Sequence, residues 1–268
     1  MMHRHYVAMG LLMLAAAHCA VAETVWMEPA TGMQFVELPK GCFKMGTAKQ
    51  LPLPSDTQWE RIGYTGSISA DEGPQHEVCV DRFWIGKFEV RAAEWRMVMD
   101  SANAQAEGRN LPAAGMSWEE ARAFAERLTA SSGGKHKFRL PTEAEWEYAC
   151  RANSKAEKDK PDRDELKKTA WSQYRIHKPN LVGALQPNAF GLHDMLGNVW
   201  EWTADSYEAN GYAQHALYNP RVDMETGRRV IRGGSIRTEP EQTRCGKRGH
   251  YPAAERLDTI GLRLVREQ

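Results

Sequence analysis

The chemistry-bearing residues of the chain fall in two stretches near its C-terminal end. "HDMLGNVWEW" (193–202) places Asp194 and Glu201 around a Gly-Asn turn. Both are hard oxygen ligands, and such a turn can aim backbone carbonyls inward, the mixture that calcium takes. "RGGSIRTEPEQTRCGKR" (232–248) carries a Gly-Gly pair, a serine and one cysteine, Cys245, and His250 follows shortly after. Arg248 and His250 have the chemistry to hold an anion or move protons. The plain structural alternative is that the carboxylates bond their own turn and that the second stretch is a polar turn.

Cysteine usage bears on that alternative. Cys42, Cys79, Cys150 and Cys245 remain once Cys19 is assigned to a leader. The leader is read from Arg4, an apolar run from Tyr6 to Ala17 and the small residues Ala20-Val21-Ala22. This pattern predicts a secretory signal peptide over residues 1–22 and a single domain over 23–268, because the run is too short to span a bilayer. Four cysteines in an exported protein favour disulfides, with three connectivities open. No Cys-x-x-Cys pair is present, and His76 has no close pair of further ligands, so a structural zinc site is not expected.

Composition is that of a globular protein, 42% hydrophobic and 26% charged. Basic and acidic residues balance at 35 each, so loss of Arg4 with the leader leaves a net charge of about −1. Nothing there would hold a phosphate backbone, and nucleic acid is not an expected partner. No second apolar run predicts a membrane span. The protein is expected in the periplasm or secreted, and monomeric.

These residues must be positioned by short elements. "MQFVELPKGCFKMG" (33–46) alternates around Pro-Lys-Gly and predicts two strands. Residues 47–75 read as a long polar loop. "HEVCVDRFWIGKFEV" (76–90) resumes strand alternation with Val78, Val80, Phe83, Ile85 and Phe88 as core, and 92–101 read as helical. Two helices start at capping boxes, Ser117 with Glu120 and Thr142 with Glu145. Ala121, Phe124, Ala125 and Leu128 share a face of the first, and Trp146, Ala149 and Cys150 of the second. The charge run 154–168 reads as a solvated loop or frayed helix. Beyond it no long helical period appears. The tryptophans at 84, 95, 118, 146, 200 and 202 are expected in the core or along a cleft wall.

Seven motifs in order resemble the formylglycine-generating enzyme family, the sulfatase-modifying factors. They are "GCFKMG", "EGPQHEVCVDRFWIGKFEV", "MSWEEARAFAERL", "FRLPTEAEWEYACRA", "NAFGLHDMLGNVWEW", "RVIRGGSIR" and "IGLRLVR", spread over residues 33–266. The resemblance implies an α+β fold, a variant of the C-type lectin-like fold with small twisted sheets, few helices and much coil. It implies a Cys150–Cys245 bridge, which leaves Cys42 to pair with Cys79. It implies a structural Ca²⁺ held by the side chains of Asp194 and Glu201 and the carbonyls of Gly197 and Val199, with Asp194 where the family more often has Asn. Residues 176–187 lack the element of a second calcium loop.

The family's oxidase chemistry uses two thiolates after "GGS", soft ligands for Cu(I), the first three positions on and the second five later. Here Thr238 stands at the first and no second cysteine exists, so no copper is expected. Ser235 and Trp200 match residues lining the family's substrate cleft. Thr238, Glu239, Arg237, Arg244, Arg248 and His250 are the other candidates for that surface. Three functions follow as expectations: an oxidative maturation or modification factor for a secreted peptide or protein, a non-catalytic binding or accessory module, or a divergent sulfatase-activating oxidoreductase. Some cysteine-poor relatives mature secreted natural products, as in pyoverdine chromophore formation.

Overall fold

A computed structural model describes residues 24–48, 70–99, 110–152, 163–172 and 178–268. The leader, most of the 47–75 loop and the first part of the 154–168 charge run lie outside the described residues. In chain order the strands are β1 (Val25–Met27), β2 (Gln34–Leu38), β3 (Gly41–Met45), β4 (His76–Val80) and β5 (Phe83–Gly86). Helices α1 (Ala92–Met99) and α2 (Trp118–Ser131), β6 (Phe138–Arg139), α3 (Glu143–Arg151) and α4 (Arg163–Thr169) follow. The remaining strands are β7 (Ala170–Trp171), β8 (Leu196–Gly197), β9 (Trp200–Ser206), β10 (Arg228–Arg232), β11 (Arg248–Pro252), β12 (Ile260–Leu262) and β13 (Val265–Arg266). The mixture of small sheets, few helices and long irregular connections is the α+β architecture expected.

A five-stranded sheet runs β1-β2-β5-β13-β6 and a four-stranded sheet runs β11-β10-β9-β12. The strands around Pro39-Lys40-Gly41 form as expected but do not pair with each other. β2 joins the five-stranded sheet, and β3 pairs only with β4 in a separate antiparallel ribbon. The turn therefore carries the chain from one sheet to another.

Alternation sets the two cores. Phe35 and Phe138 leave one face of the five-stranded sheet and pack with Trp95, Phe124, Leu128 and Trp202. Val36, Ile85 and Val265 leave the other face and pack with Val78, Trp146 and Ala149. Both capping boxes are made: Ser117 and Thr142 accept from the backbone N–H of Glu120 and Glu145, whose carboxylates return to the cap N–H. One expectation fails. Phe88 is only half-buried while Glu89 is buried, because Phe83 and Ile85 set the inward parity of β5 and that parity excludes position 88. Among the described residues no helix is long and apolar enough to cross a membrane.

Candidate functional site

The turn after β10 is closed by its own hydrogen bonds. Gly233 and Gly234 adopt φ of 97° and 80°, which side-chain-bearing residues rarely tolerate. The Gly233 carbonyl accepts from Gly197 N at 2.9 Å, and Ile236 N donates to the Asn198 carbonyl at 3.0 Å, so the turn is laced to the 194–199 loop. Thr238 Oγ1 accepts from Ser235 N at 2.9 Å, while Thr238 N donates to the Ser235 carbonyl at 2.8 Å. Ser235 Oγ accepts from Arg237 N at 3.1 Å. Five residues past Thr238, the buried Thr243 hydroxyl donates to the Glu239 carbonyl at 3.0 Å. Ser235 and Thr238 are buried as well.

Cys245 is bonded to Cys150 on α3, and Cys42 to Cys79 across the ribbon. The first bridge ties the turn to a helix that is buried almost all round, acidic residues included. Glu143 and Glu147 lie one turn apart on α3 and are fully buried. Arg232, at the end of β10, donates to Glu143 Oε1 at 2.9 Å, Glu147 Oε2 at 2.5 Å and the Cys245 carbonyl at 2.6 Å. Arg248, at the start of β11, grips Glu143 with Nε and Nη2 at 2.7 and 3.0 Å. Burial pushes both carboxyls up, but the guanidiniums (Arg248 and Arg232 at Glu143, Arg151 and Arg232 at Glu147) outweigh it and hold them below the usual range.

Two sequence expectations are corrected here. Arg248 is 0% exposed and Arg244 is paired with buried Glu72, its Nη2 donating at 2.9 Å to Oε1. Neither lines a surface cleft, because each neutralises a buried carboxylate. His250 Nδ1 accepts from Arg228 Nε at 2.8 Å, and its ring stacks on Tyr207 at 3.7 Å. Burial, with Arg228 and Arg248 nearby, lowers its pKa to about 4. Near neutral pH it is a neutral ring, poorly suited to shuttling protons.

The candidate set is also split by the four-stranded sheet. Arg248 points to the α3 side. Gly249, the next residue, faces the other side, where an added Cβ would lie 3.2 Å from half-buried Trp200. Trp200 packs there with Tyr251, Ala253 and Leu257. Arg237 is exposed and paired with Asp258 at 2.9 Å, and Glu239 is half-buried. Of the sequence candidates, the structure brings together Ser235 and Thr238, and places Trp200 apart from Arg248 and His250.

Buried Asp205 on β9 completes the α3 end. Its Oδ2 accepts from Glu143 N at 2.7 Å and its Oδ1 from Val222 N at 2.9 Å. Burial and the neighbouring Glu143 charge raise its pKa to about 7. A raised folded pKa contributes stability that is full below the unfolded value near 4 and is lost as pH rises through 7. Urea midpoints should therefore show the wild type losing stability relative to Asp205→Asn between about pH 4 and 7, by up to about 4 kcal/mol. A constant difference across that window would contradict the assignment.

The 194–199 loop is the second cluster. Asp194, Gly197 and Asn198 have φ of 55°, 83° and 57°. A side chain on Gly197 would collide with the Trp171 backbone. Asp194 Oδ2 accepts from Gly183 N at 2.6 Å, whereas its Oδ1 is buried with no donor among the described residues. Glu201 accepts from Trp146 Nε1 at 2.7 Å and from Arg263 Nη2 at 2.8 Å. Glu89, unremarked in the sequence, accepts from Asn198 Nδ2 at 2.6 Å and Val199 N at 3.2 Å. Burial, then Asp194 and Glu201, drive its pKa well up, and burial raises that of Asp194.

The family model described as "Sulfatase-modifying factor enzyme 1-like domain" matches residues 21–268. The chain belongs to this family. The formylglycine-generating enzyme of Streptomyces coelicolor is 35% identical over 170 residues, 57% of this chain and 50% of that protein. The inactive C-alpha-formylglycine-generating enzyme 2 of Bos taurus is 36% identical over 132 residues, 45% of this chain and 41% of that protein. The chain thus spans about half the length of these curated relatives. Among solved structures, PvdO from Pseudomonas aeruginosa is 27% identical with a TM-score of 0.75, covering 91% of this chain and 98% of that one. The Treponema denticola variable protein 1 shares the fold at 20% identity and a TM-score of 0.73.

This sulfatase-modifying factor homologue can be tested against the two metals its family implies. Cu(I) bound by two thiolates does not fit. All four cysteines among the described residues are bridged, and Thr238 and Thr243 offer only hydroxyls already bonded to backbone. A hard cation fits better. Among the described residues Asp194 offers a buried acceptor without a donor, and Glu89, Asp194 and Glu201 all lie close to Arg263. Glu201 is already engaged by Arg263 and Trp146, so Asp194 would be the anchor. Among the described residues no three His, Cys, Asp or Glu side chains form a metal cluster. The expected set of two carboxylates and two carbonyls does not require one.

Proposed function

We propose that this chain is an exported sulfatase-modifying factor homologue that matures or modifies a secreted peptide or protein by oxidation, without the thiol–copper chemistry of sulfatase activation. The observation that carries the second half is the state of the turn: its cysteine is bridged and its two threonines are bonded inward. The two disulfides support an oxidising compartment. Similarity to a relative named as an inactive C-alpha-formylglycine-generating enzyme supports a role outside sulfatase activation. A peptide containing Cys-Thr-Pro-Ser-Arg, incubated in air with the purified protein with and without copper, should gain no aldehyde by mass spectrometry. Aldehyde in the copper-loaded sample would establish the divergent sulfatase-activating alternative instead.

One observation favours a second reading, a non-catalytic binding module: Ser235, Thr238, Arg244 and Arg248 all have partners within the chain. Exported peptides that bind without a change in mass would support the module, and a mass change would support modification.

We further propose that Ca²⁺ binds through Asp194, Glu201 and the carbonyls of Gly197 and Val199, and is structural. It would neutralise the carboxylate excess beside Arg263. Calcium at a hundredfold its dissociation constant should stabilise the protein by about 2.7 kcal/mol. Thermal melts with calcium and with chelator should differ for the wild type and coincide for Asp194→Ala. Coincident wild-type melts, together with no calcium in the purified protein, would refute the site.

A further inference from the structure

The two disulfides sit in different surroundings. Cys150 is 6% exposed, and Cys245 packs against the same core. Cys42 and Cys79 are directly opposed in the β3–β4 ribbon, so both side chains leave the same face. Along β3, Cys42 and Lys44 are exposed while Phe43 is half-buried and Met45 buried, which makes the Cys42 face the solvent face. Lys40 is exposed two residues before Cys42.

Cys79 is covered, at 7% exposed. The segment 217–219 lies alongside it in a single parallel bridge between Cys79 and Tyr218. Cys79 N donates to the Leu217 carbonyl at 2.7 Å, and Asn219 N donates to the Cys79 carbonyl at 2.8 Å. Asn219 Nδ2 also holds Asp81 Oδ2 at 2.8 Å. Cys42 is thus the exposed half of the bridge and Cys79 the covered half, with exposed Lys44 and Glu77 opposite each other beside them.

We infer that Cys42–Cys79 is a thiol–disulfide exchange site for a dithiol protein of the Cys-x-x-Cys class, and that Cys42 is the sulfur attacked. The partner's thiolate bonds to Cys42 Sγ as the Cys42–Cys79 bond breaks, and Cys79 leaves as a thiolate that takes a proton from water. The partner's second thiolate then attacks its own first sulfur, and Cys42 leaves as a thiolate and is protonated. The bridge gains two electrons and two protons, and the partner ends as a disulfide. Lys40 and Lys44 are offset by Glu77 and Asp81, so access and not charge selects Cys42, and access to sulfur governs the rate. In Cys150–Cys245 one sulfur-bearing residue is buried on α3 and the other half-buried, so approach is more restricted than at exposed Cys42.

The test uses the full chain under native conditions. Timed exposure to dithiothreitol or a Cys-x-x-Cys dithiol protein, alkylation and peptide mapping should show Cys42 and Cys79 modified at least about tenfold faster than Cys150 and Cys245. The near-UV spectrum should persist, because the ribbon keeps its five-pair ladder. A single-cysteine form of the dithiol protein should be trapped on Cys42. Equal rates for the two bridges, reduction only on unfolding, or an adduct on Cys79 would each overturn the inference.

Discussion

Replacing Arg232 by methionine is expected to destabilise the protein by about 3–5 kcal/mol, because it strands buried carboxylates without their counter-charge. Arg232 is 0% exposed, and one guanidinium serves Glu143, Glu147 and the Cys245 carbonyl. Arg248 and Arg151 remain on Glu143 and Glu147, so the loss is partial neutralisation of a fully buried pair. For a chain of this size the change corresponds to a melting temperature lower by about 10 °C. Arg237→Met, which removes an exposed pair with Asp258, should stay within about 0.5 kcal/mol. Urea unfolding of the two variants side by side is the check. Similar midpoints would show that the network does not hold α3 against β10.

Removing the Cys150–Cys245 bridge should have an effect of the same size. Cys150 and Cys245 are 95 residues apart in sequence, and closing such a loop in the unfolded chain is worth about 4–5 kcal/mol in the chain-entropy model. The Cys150→Ala/Cys245→Ala variant should melt well below the wild type while its far-UV spectrum shows the same helices. It should also loosen the Cys245 carbonyl that accepts from Arg232, so combining it with Arg232→Met should cost less than the sum of the two. Strict additivity would mean that bridge and ion cluster are independent supports.

The parts of the fold that were legible in the sequence are those set by local chemistry. Ser117/Glu120 and Thr142/Glu145 mark helix starts because a capping box is complete within four residues. The strands around Cys42 and Cys79 follow from alternation, although their pairing came only with the family resemblance. What local pattern hides is the partner of a charge. Spacing on α3 picks out Trp146, Ala149 and Cys150 as the buried face, yet Glu143 and Glu147 are equally buried, since Arg232 and Arg248 arrive from strands some ninety to a hundred residues later. Read alone, Arg248 looks like a surface anion binder. Phe88 reads as core from its side chain alone, whereas the parity of Phe83 and Ile85 points to Glu89, a charged residue that hydrophobicity passes over. Asp194 stood out, because a carboxylate beside a Gly-Asn turn is a local signal.

The account rests on Cys245 being a structural tether. Denaturing alkylation of the purified, unreduced protein followed by non-reducing peptide mapping tests it most directly. The predicted result is one peptide pair joined through Cys150 and Cys245, with neither sulfur alkylated. Alkylated Cys245 on an unbridged peptide, in protein that also binds one Cu(I), would contradict it.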